Sequence, residues 1–431
     1  MLTLVTALQV TAAVAPLAPL AQNDSLPAMT LEEALLRATE LDPNYVAAMR
    51  QVADAEWTRR SAWSVFLIPA ISAQLSARKF SSEFFNIGTG EPASRIVDAS
   101  IDARLNLFSG LAKFNDLSRS QAEVQGARAD ELGARFESAL FTESDYYDVL
   151  AQRELTRVAT DRVRRAEEQM AVARARVISG AAVQTDSLQL LLELTEAQVE
   201  LLRQGARLKV ARHQLGRRVG FPGPVDAVAL DTLPAPALPV SEQEAVTEAV
   251  ASSPAAMSAR ADERATEAGV RSARGAYLPS VDLFGQYSAT DEDFFPSAIS
   301  RSVFGVSFSW PLWNNALREI TVSRATTARE VARAVRKDIE LELRRDVVEA
   351  YEAYEASRAA AHLAATAVVV ATENLRVQQE RYRAGATTII DLITSQVSLS
   401  EADAGLVQAR HSTRLALSGL EAILGRRLFQ Q

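Results

Sequence analysis

The chain predicts an α plus transmembrane β fold made of two copies of one unit, each copy running short helices, a β-hairpin and then two very long helices. Three observations predict it: an internal repeat, period-2 alternation in four short segments, and an uneven distribution of proline. Ser118-Arg119, Ala127-Arg128-Ala129, Tyr146, Arg153, Arg176, Gly180, Asp186, Glu196-Ala197 and Gly220 recur at one spacing as Ser323-Arg324, Ala332-Arg333-Ala334, Tyr351, Arg358, Arg381, Gly385, Asp391, Glu401-Ala402 and Gly425. Upstream, Glu33-Ala34, Ala38, Pro43 and Glu56 reappear as Glu244-Ala245, Ala249, Pro254 and Glu267 at a slightly larger offset, the difference falling where a loop tolerates a change of length. Such a period is too long for a solenoid and indicates two architectural halves.

The elements follow in order. Residues 1–21 are apolar and uncharged, with Ala13-Val14-Ala15 as a small-residue cleavage site, and read as a signal peptide without the usual basic start. The first repeat is expected over 30–221, a Pro-rich linker over 222–240 and the second repeat over 241–431. Both repeats open on a capping box, Thr30 with Glu33 and Ser241 with Glu244, in which the hydroxyl accepts from the third amide and the carboxylate reaches back. A second helix start follows in each, at Asp42-Pro43 and Ser253-Pro254, where a capping side chain precedes a proline whose missing N–H costs nothing.

Past Pro69 and Pro279 the period changes from helical to strict alternation. Strands are expected at about 70–80, 95–108, 279–289 and 302–311. In the second of these, Val97, Ala99, Ile101, Ala103, Leu105 and Leu107 alternate with Asp98, Ser100, Asp102, Arg104 and Asn106. Phe284 interrupts the polar face of the third strand and Val303 that of the fourth, and the strand-connecting loops carry paired aromatics, Phe84-Phe85 and Phe294-Phe295, placed as interfacial anchors. Four strands of about 10 residues suit a tilted barrel crossing a bilayer, and four strands alone leave their apolar side without a partner.

Between Pro92 and Pro222, and after Pro311, proline is absent, whereas Pro222, Pro224, Pro234, Pro236 and Pro239 crowd the junction. Each proline-free stretch is broken once, at Ser179-Gly180 and at Ala384-Gly385, giving helices of roughly 70 and roughly 40 residues, the longer on the order of 100 Å. Leu392, Leu399, Leu406 and Leu420 at heptad spacing, with Leu417 and Leu424 on the second seam, indicate coiled-coil packing.

A net charge of −8, with Arg interleaved among Glu and Asp, argues against a nucleic-acid surface. Cysteine is absent, which excludes disulfides, thiolate metal sites and a lipidated N-terminal Cys. His213, His362 and His411 do not occupy equivalent repeat positions, and there is no His-Glu-x-x-His, Gly-rich phosphate loop or Gly-x-Ser-x-Gly. The expectation is a non-enzyme with no cofactor, no metal site and no nucleic-acid partner.

The order of these features in both halves, together with Ala276-Tyr277-Leu278-Pro279-Ser280 entering a strand, Pro311-Leu312-Trp313 leaving one and Arg381-Tyr382-Arg383-Ala384-Gly385 turning toward Asp391-Leu392, resembles the TolC-like outer-membrane efflux proteins over essentially the whole mature chain. That resemblance implies a homotrimer with a shared twelve-stranded barrel in outer-membrane lipid above a long α-helical tunnel reaching into the periplasm. It implies a passive duct in a tripartite efflux or type I secretion system, with a periplasmic adaptor and an inner-membrane pump of RND, ABC or MFS type as partners. The polar strand residues Asp98, Asp102, Arg104 and Asp282 would line the lumen. Gly180 and Gly385 match the turns at the periplasmic tip, where one helix pair moves. Tyr382 matches a tip tyrosine that bonds an acidic residue of the first turn, here Asp186 beside Thr185, and Asp391 matches an aspartate that forms a constricting ring. Two positions depart from the family pattern: the companion aspartate is Thr394 and the gate arginine is Thr387. Helix capping is an equally good account of Asp186 and Asp391. The competing reading of the whole chain is a periplasmic coiled-coil adaptor or scaffold without a pore, although such proteins combine one helical hairpin with β-rich modules and lack the duplicated pattern.

Overall fold

The computed structural model describes residues 26–86, 90–180, 183–229, 235–293 and 298–429, so the leader segment 1–21, Pro234 and the Phe294-Phe295 pair lie outside the described residues. The first half comprises β1 (Ala28–Met29), α1 (Leu31–Leu41), α2 (Pro43–Ser64), β2 (Ala70–Phe85), β3 (Pro92–Ser109), α3 (Ala112–Ile178) and α4 (Gln184–Arg218). The second comprises β4 (Asp226–Ala227), α5 (Glu242–Ser252), α6 (Pro254–Arg274), β5 (Ser280–Asp291), β6 (Ile299–Ser309), α7 (Leu317–Arg383) and α8 (Ile389–Leu424). Helices α3 and α7 are both 67 residues long, about 100 Å at the α-helical rise.

Local chemistry accounts for the starts. Thr30 and Ser241 each accept from the amide three residues on while Glu33 and Glu244 return the bond, and Asp42 and Ser253 cap α2 and α6 ahead of their prolines. The two long helices begin differently from the short ones, after left-handed residues Leu111 (φ 67°) and Ala316 (φ 61°) that swing the chain out of the sheet. Gly110 makes the same bend possible at closer quarters: its φ is 62°, and a Cβ there would collide with the carbonyl of Gly275.

One antiparallel sheet runs in the order β2-β3-β5-β6. Its apolar face is bare in the single chain, with Phe304 82% and Ile71 69% exposed. The strands depart from the sequence expectation at their ends. Pairing in the first hairpin continues beyond the alternating residues through a bulge between Lys79 and Phe84, so that Phe84 opposes Ala93 and Phe85 opposes Pro92. Strand β6 starts earlier, at Ile299, and stops at Ser309. Trp310 therefore lies outside the strand, its indole N–H donating to the Tyr277 carbonyl at 3.2 Å, and Pro311 has no N–H with which to extend the ladder.

The junction between halves is more than a linker. Asp226 and Ala227 pair in parallel with Ala28 and Met29, closing β1 onto β4. Tyrosines of the two long helices hold this junction. Tyr146 donates to the Val228 carbonyl at 2.8 Å, Tyr351 to that of Val240 at 3.4 Å, and Tyr354 to that of Pro236 at 2.7 Å. Around them two related cores form midway along the long helices, one containing Leu31, Ala34, Tyr146 and Leu215, the other Ala245, Ala249, Val347 and Leu420. The halves are bolted together by Arg427, which donates to Glu421 at 2.7 Å and to Glu143 of α3. Glu143 and Glu421 are buried.

Toward the sheet the helices lie side by side as α2-α3-α6-α7, and toward the far end as α4-α3-α8-α7. Of the seam leucines, Leu392, Leu399, Leu420 and Leu424 are buried as the heptad spacing predicts, whereas Leu406 and Leu417 are half-buried. On the outer helices the opposite holds. Leu192, Leu202 and Val210 of α4, and Leu341, Leu363 and Val370 of α7, stand more than half exposed. Among the described residues no helix is long and apolar enough to cross a membrane.

Candidate functional site

Two regions bring the sequence-predicted residues together: the far end of the helices, and the polar face of the sheet. At the helix tip α3 and α4 are joined through Gly180 (φ 76°), and α7 and α8 through Gly385 (φ 73°). At the second turn the Gly385 N–H bonds the Tyr382 carbonyl at 3.1 Å and the Ala386 N–H bonds that of Arg381 at 2.8 Å, a Schellman closure that needs the left-handed glycine. Beneath it Met170, Leu190, Leu375, Tyr382, Ile389 and Leu392 form one core drawn from all four helices.

Tyr382 is the buried centre of this tip, 2% exposed. Its hydroxyl donates to Asp186 Oδ2 at 3.5 Å, so the tyrosine and acid are brought together as the sequence suggested, although at the long limit of a hydrogen bond. Burial first, and then the nearby Asp186 charge, raise the phenol above its ordinary pKa, which keeps it a donor. A stronger hold comes from Arg176. Its guanidinium stacks 4.6 Å from the Tyr382 ring centroid and donates to the Tyr382 carbonyl. Arg176 thus ties α3 to α7, and both Tyr382 links join one helical hairpin to the other. Sequence reasoning did not assign Arg176 to the site. A signal was present, because it is the repeat partner of Arg381, four residues before the turn glycine in each half.

Asp391 is exposed, yet it is also the acid of a capping box. It accepts from the Thr388 hydroxyl at 2.7 Å and the Thr388 N–H at 3.2 Å, while its own N–H donates to the Thr388 hydroxyl at 3.3 Å. Thr387 donates to the same carboxylate at 2.9 Å and does not reach toward α4. Asp186 has no such role, since the N-cap of α4 is Val183 without a side-chain bond. Thr185 is exposed in the first turn of α4 and Thr394 in the second turn of α8.

The donors to Asp391, led by the Thr388 hydroxyl and followed by Thr387, hold its pKa below the ordinary aspartate value of 3.8. A lowered carboxylate contributes stability in full above the unfolded value and loses it as pH falls through the folded one. Amide exchange in the first turn of α8, corrected for the intrinsic rate, is therefore expected to lose protection across that acid range. The first turn of α4, without a capping box, should show no matching step, and equal behaviour of the two turns would contradict the assignment.

On the sheet, Asp98, Asp102, Arg104 and Asp282 share one face, as alternation predicts, with Asp102 opposite Gln286, Arg104 opposite Phe284 and Asn106 opposite Asp282. Asp98 accepts from Arg78 and from Thr290 at 3.0 Å, Asp102 from Gln286 at 2.8 Å, and Asp282 from Asn106 at 2.9 Å. Among the described residues no group of three or more His, Cys, Asp or Glu side chains could hold a metal ion.

A family model described as outer membrane efflux protein matches residues 245–426. The chain is 24% identical over 357 residues to the outer membrane efflux protein BepC of Brucella suis biovar 1, covering 79% of this chain and 76% of that protein. The chain is similar to the TolC-like outer-membrane efflux proteins, with the family model falling on its second half. It is also 28% identical over 214 residues to protein CyaE of Bordetella pertussis, a match that spans 49% of this chain and only 44% of that protein. The outer membrane protein VceC of Vibrio cholerae has the same fold, with a TM-score of 0.75 at 15% identity over 93% of this chain and 97% of VceC. Within this TolC-like chain, then, the polar sheet face and the helical tip lie at opposite ends of helices about 100 Å long.

Proposed function

We propose that the chain is the outer-membrane duct of a tripartite efflux or type I secretion system, closed as a homotrimer, with a twelve-stranded barrel in the outer membrane and its helices forming a tunnel through the periplasm. The observation that carries this is the edge order. In every layer an element of the first half stands at one edge and one of the second half at the other: β2 and β6 in the sheet, α2 and α7 beside it, α4 and α7 toward the tip. Unlike edges associate head to tail, and such contacts close into a ring when the rotation permits. Closure removes both open sheet edges and covers the bare apolar seams of α4 and α7. Two copies would supply eight strands, which side chains fill, whereas three supply twelve and leave a water-filled interior.

Energy for export comes from elsewhere, with a periplasmic adaptor and an inner-membrane pump as partners. The tip is the closed end. Gly180 and Gly385 turn the two hairpins, Tyr382 is bonded to Asp186 across them, and Asp391 and Thr394, on one exposed face of α8, border the opening as a ring whose negative charge comes from Asp391 alone. Purified protein in a planar bilayer is expected to form a cation-preferring pore, and Asp391→Ala to weaken block by multivalent cations applied from the tip side. A preparation that stays monomeric, soluble without detergent and non-conducting would instead support an adaptor or scaffold. Unchanged block in a conducting Asp391→Ala channel would remove that ring from the constriction.

A further inference from the structure

The polar face of the sheet contains one feature that a plain water-filled lumen does not require. All three carboxylates discussed above accept hydrogen bonds from neighbours on that face. Arg104 differs: among the described residues its exposed guanidinium has no hydrogen-bond or ion-pair partner. It borders a recess of about 520 Å³ whose other walls are Asp282, Phe284 and Ser307.

Phe284 is the residue that breaks the polar alternation of β5. Its ring reaches across to β6 and lies above Gly305, where a Cβ would come within 2.6 Å of ring Cζ. The small residue opposite is therefore what allows an aromatic ring on this face, and the ring remains half-exposed beside the guanidinium. A free guanidinium offers a planar fork of donors to a carboxylate or sulfonate, and an adjacent aromatic ring offers a stacking surface. The exposed Ser307 hydroxyl can donate to a further oxygen. The Asp282 carboxylate, already engaged by Asn106, disfavours ligands with several negative charges.

We propose that Arg104, Phe284 and Ser307 form a weak docking site for aromatic molecules with a single carboxylate or sulfonate, repeated once per protomer around the barrel interior. The assignment rests on the duct reading, because only barrel closure turns this face inward. It places an anion-accepting step in the barrel, far from the acidic tip, so that cargo charge is read at two separate levels.

The test uses wild-type protein conducting in planar bilayers, with 2-naphthalenesulfonate added to either chamber. Transient block of the current is expected, weakened at least ~10-fold by Arg104→Ala and several-fold by Phe284→Leu, as loss of a charge-assisted bidentate contact and of a stacking partner requires. Methanesulfonate, which lacks the ring, and benzyltrimethylammonium, which lacks the anion, should not produce block sensitive to Arg104. Naphthalenesulfonate block that survives Arg104→Ala, or equal block by methanesulfonate, would overturn the site. A wild-type channel that conducts but shows no naphthalenesulfonate block would overturn the site alone, whereas a protein that never conducts would overturn the duct itself.

Discussion

Arg176→Ala is expected to open the tip more than any other single substitution there, raising the open fraction of purified channels in planar bilayers by ~10-fold or more. The guanidinium supplies both a cation–π contact to Tyr382 and a hydrogen bond to its carbonyl, and these link the α3–α4 hairpin to the α7–α8 hairpin. An exposed cation–π contact is worth about 0.5–1 kcal/mol and a hydrogen bond from a charged group about 1.5–3 kcal/mol. Partial solvent access at Arg176 favours the lower part of that range, about 2 kcal/mol per protomer, and ~1.4 kcal/mol already shifts a two-state ratio tenfold. Tyr382→Phe removes only the 3.5 Å bond to Asp186 and keeps the ring beneath the guanidinium. Its effect should be clearly smaller. If Tyr382→Phe opens the channel as much as Arg176→Ala, the Asp186 bond is the principal lock and Arg176 merely packs. A rise in open fraction together with a fall in thermal stability would mark damage to the tip core in place of release of a latch.

The largest effect on stability is expected at Arg427. Its side chain is about 40% exposed, but its partners Glu143 and Glu421 are buried at 3% and 5%, on helices that belong to different halves of the chain. Both hydrogen bonds and opposite charge raise the Arg427 pKa against the effect of burial. Arg427→Ala would take from two buried carboxylates the cation that bridges them, and breaking a buried pair by removing one member costs about 3–5 kcal/mol. Thermal unfolding of the detergent-solubilised protein should therefore fall sharply for Arg427→Ala. Adding Glu143→Gln and Glu421→Gln should recover a large part of the loss, since neutral amides can be buried without a counter-ion. No recovery in the triple variant would mean that Arg427 acts through packing of its stem and not through charge.

Much of the architecture was legible in the residues because it is set by patterns that recur over a few positions. Heptad leucines such as Leu392 and Leu399, the capping boxes at Thr30 and Ser241, and the alternation from Val97 to Leu107 each act on neighbours within a turn or a strand. Strand ends were less legible. The continuation of β2 through Phe85 depends on a bulge and on Ala93 and Pro92 lying opposite, which no local pattern announces. The tip was half legible. Asp186 and Tyr382 meet as expected, whereas Thr387 turns back to its own Asp391 and Arg176 takes up the link to the neighbouring hairpin. Phe284 breaks the polar alternation locally, and the room for its ring comes from Gly305 on the neighbouring strand, which no local pattern announces.

The sequence by itself determined the duplicated plan, the lengths of its helices and the two-faced strands, because helix and strand periodicity, proline and caps act locally along the chain. Only the tertiary structure decided which charged groups are satisfied and which stay available. Arg427 meets a glutamate 284 positions away, Arg176 meets a tyrosine 206 positions away, and Arg104 meets no partner among the described residues, because side-chain electrostatics depends on what the fold brings within a few ångströms.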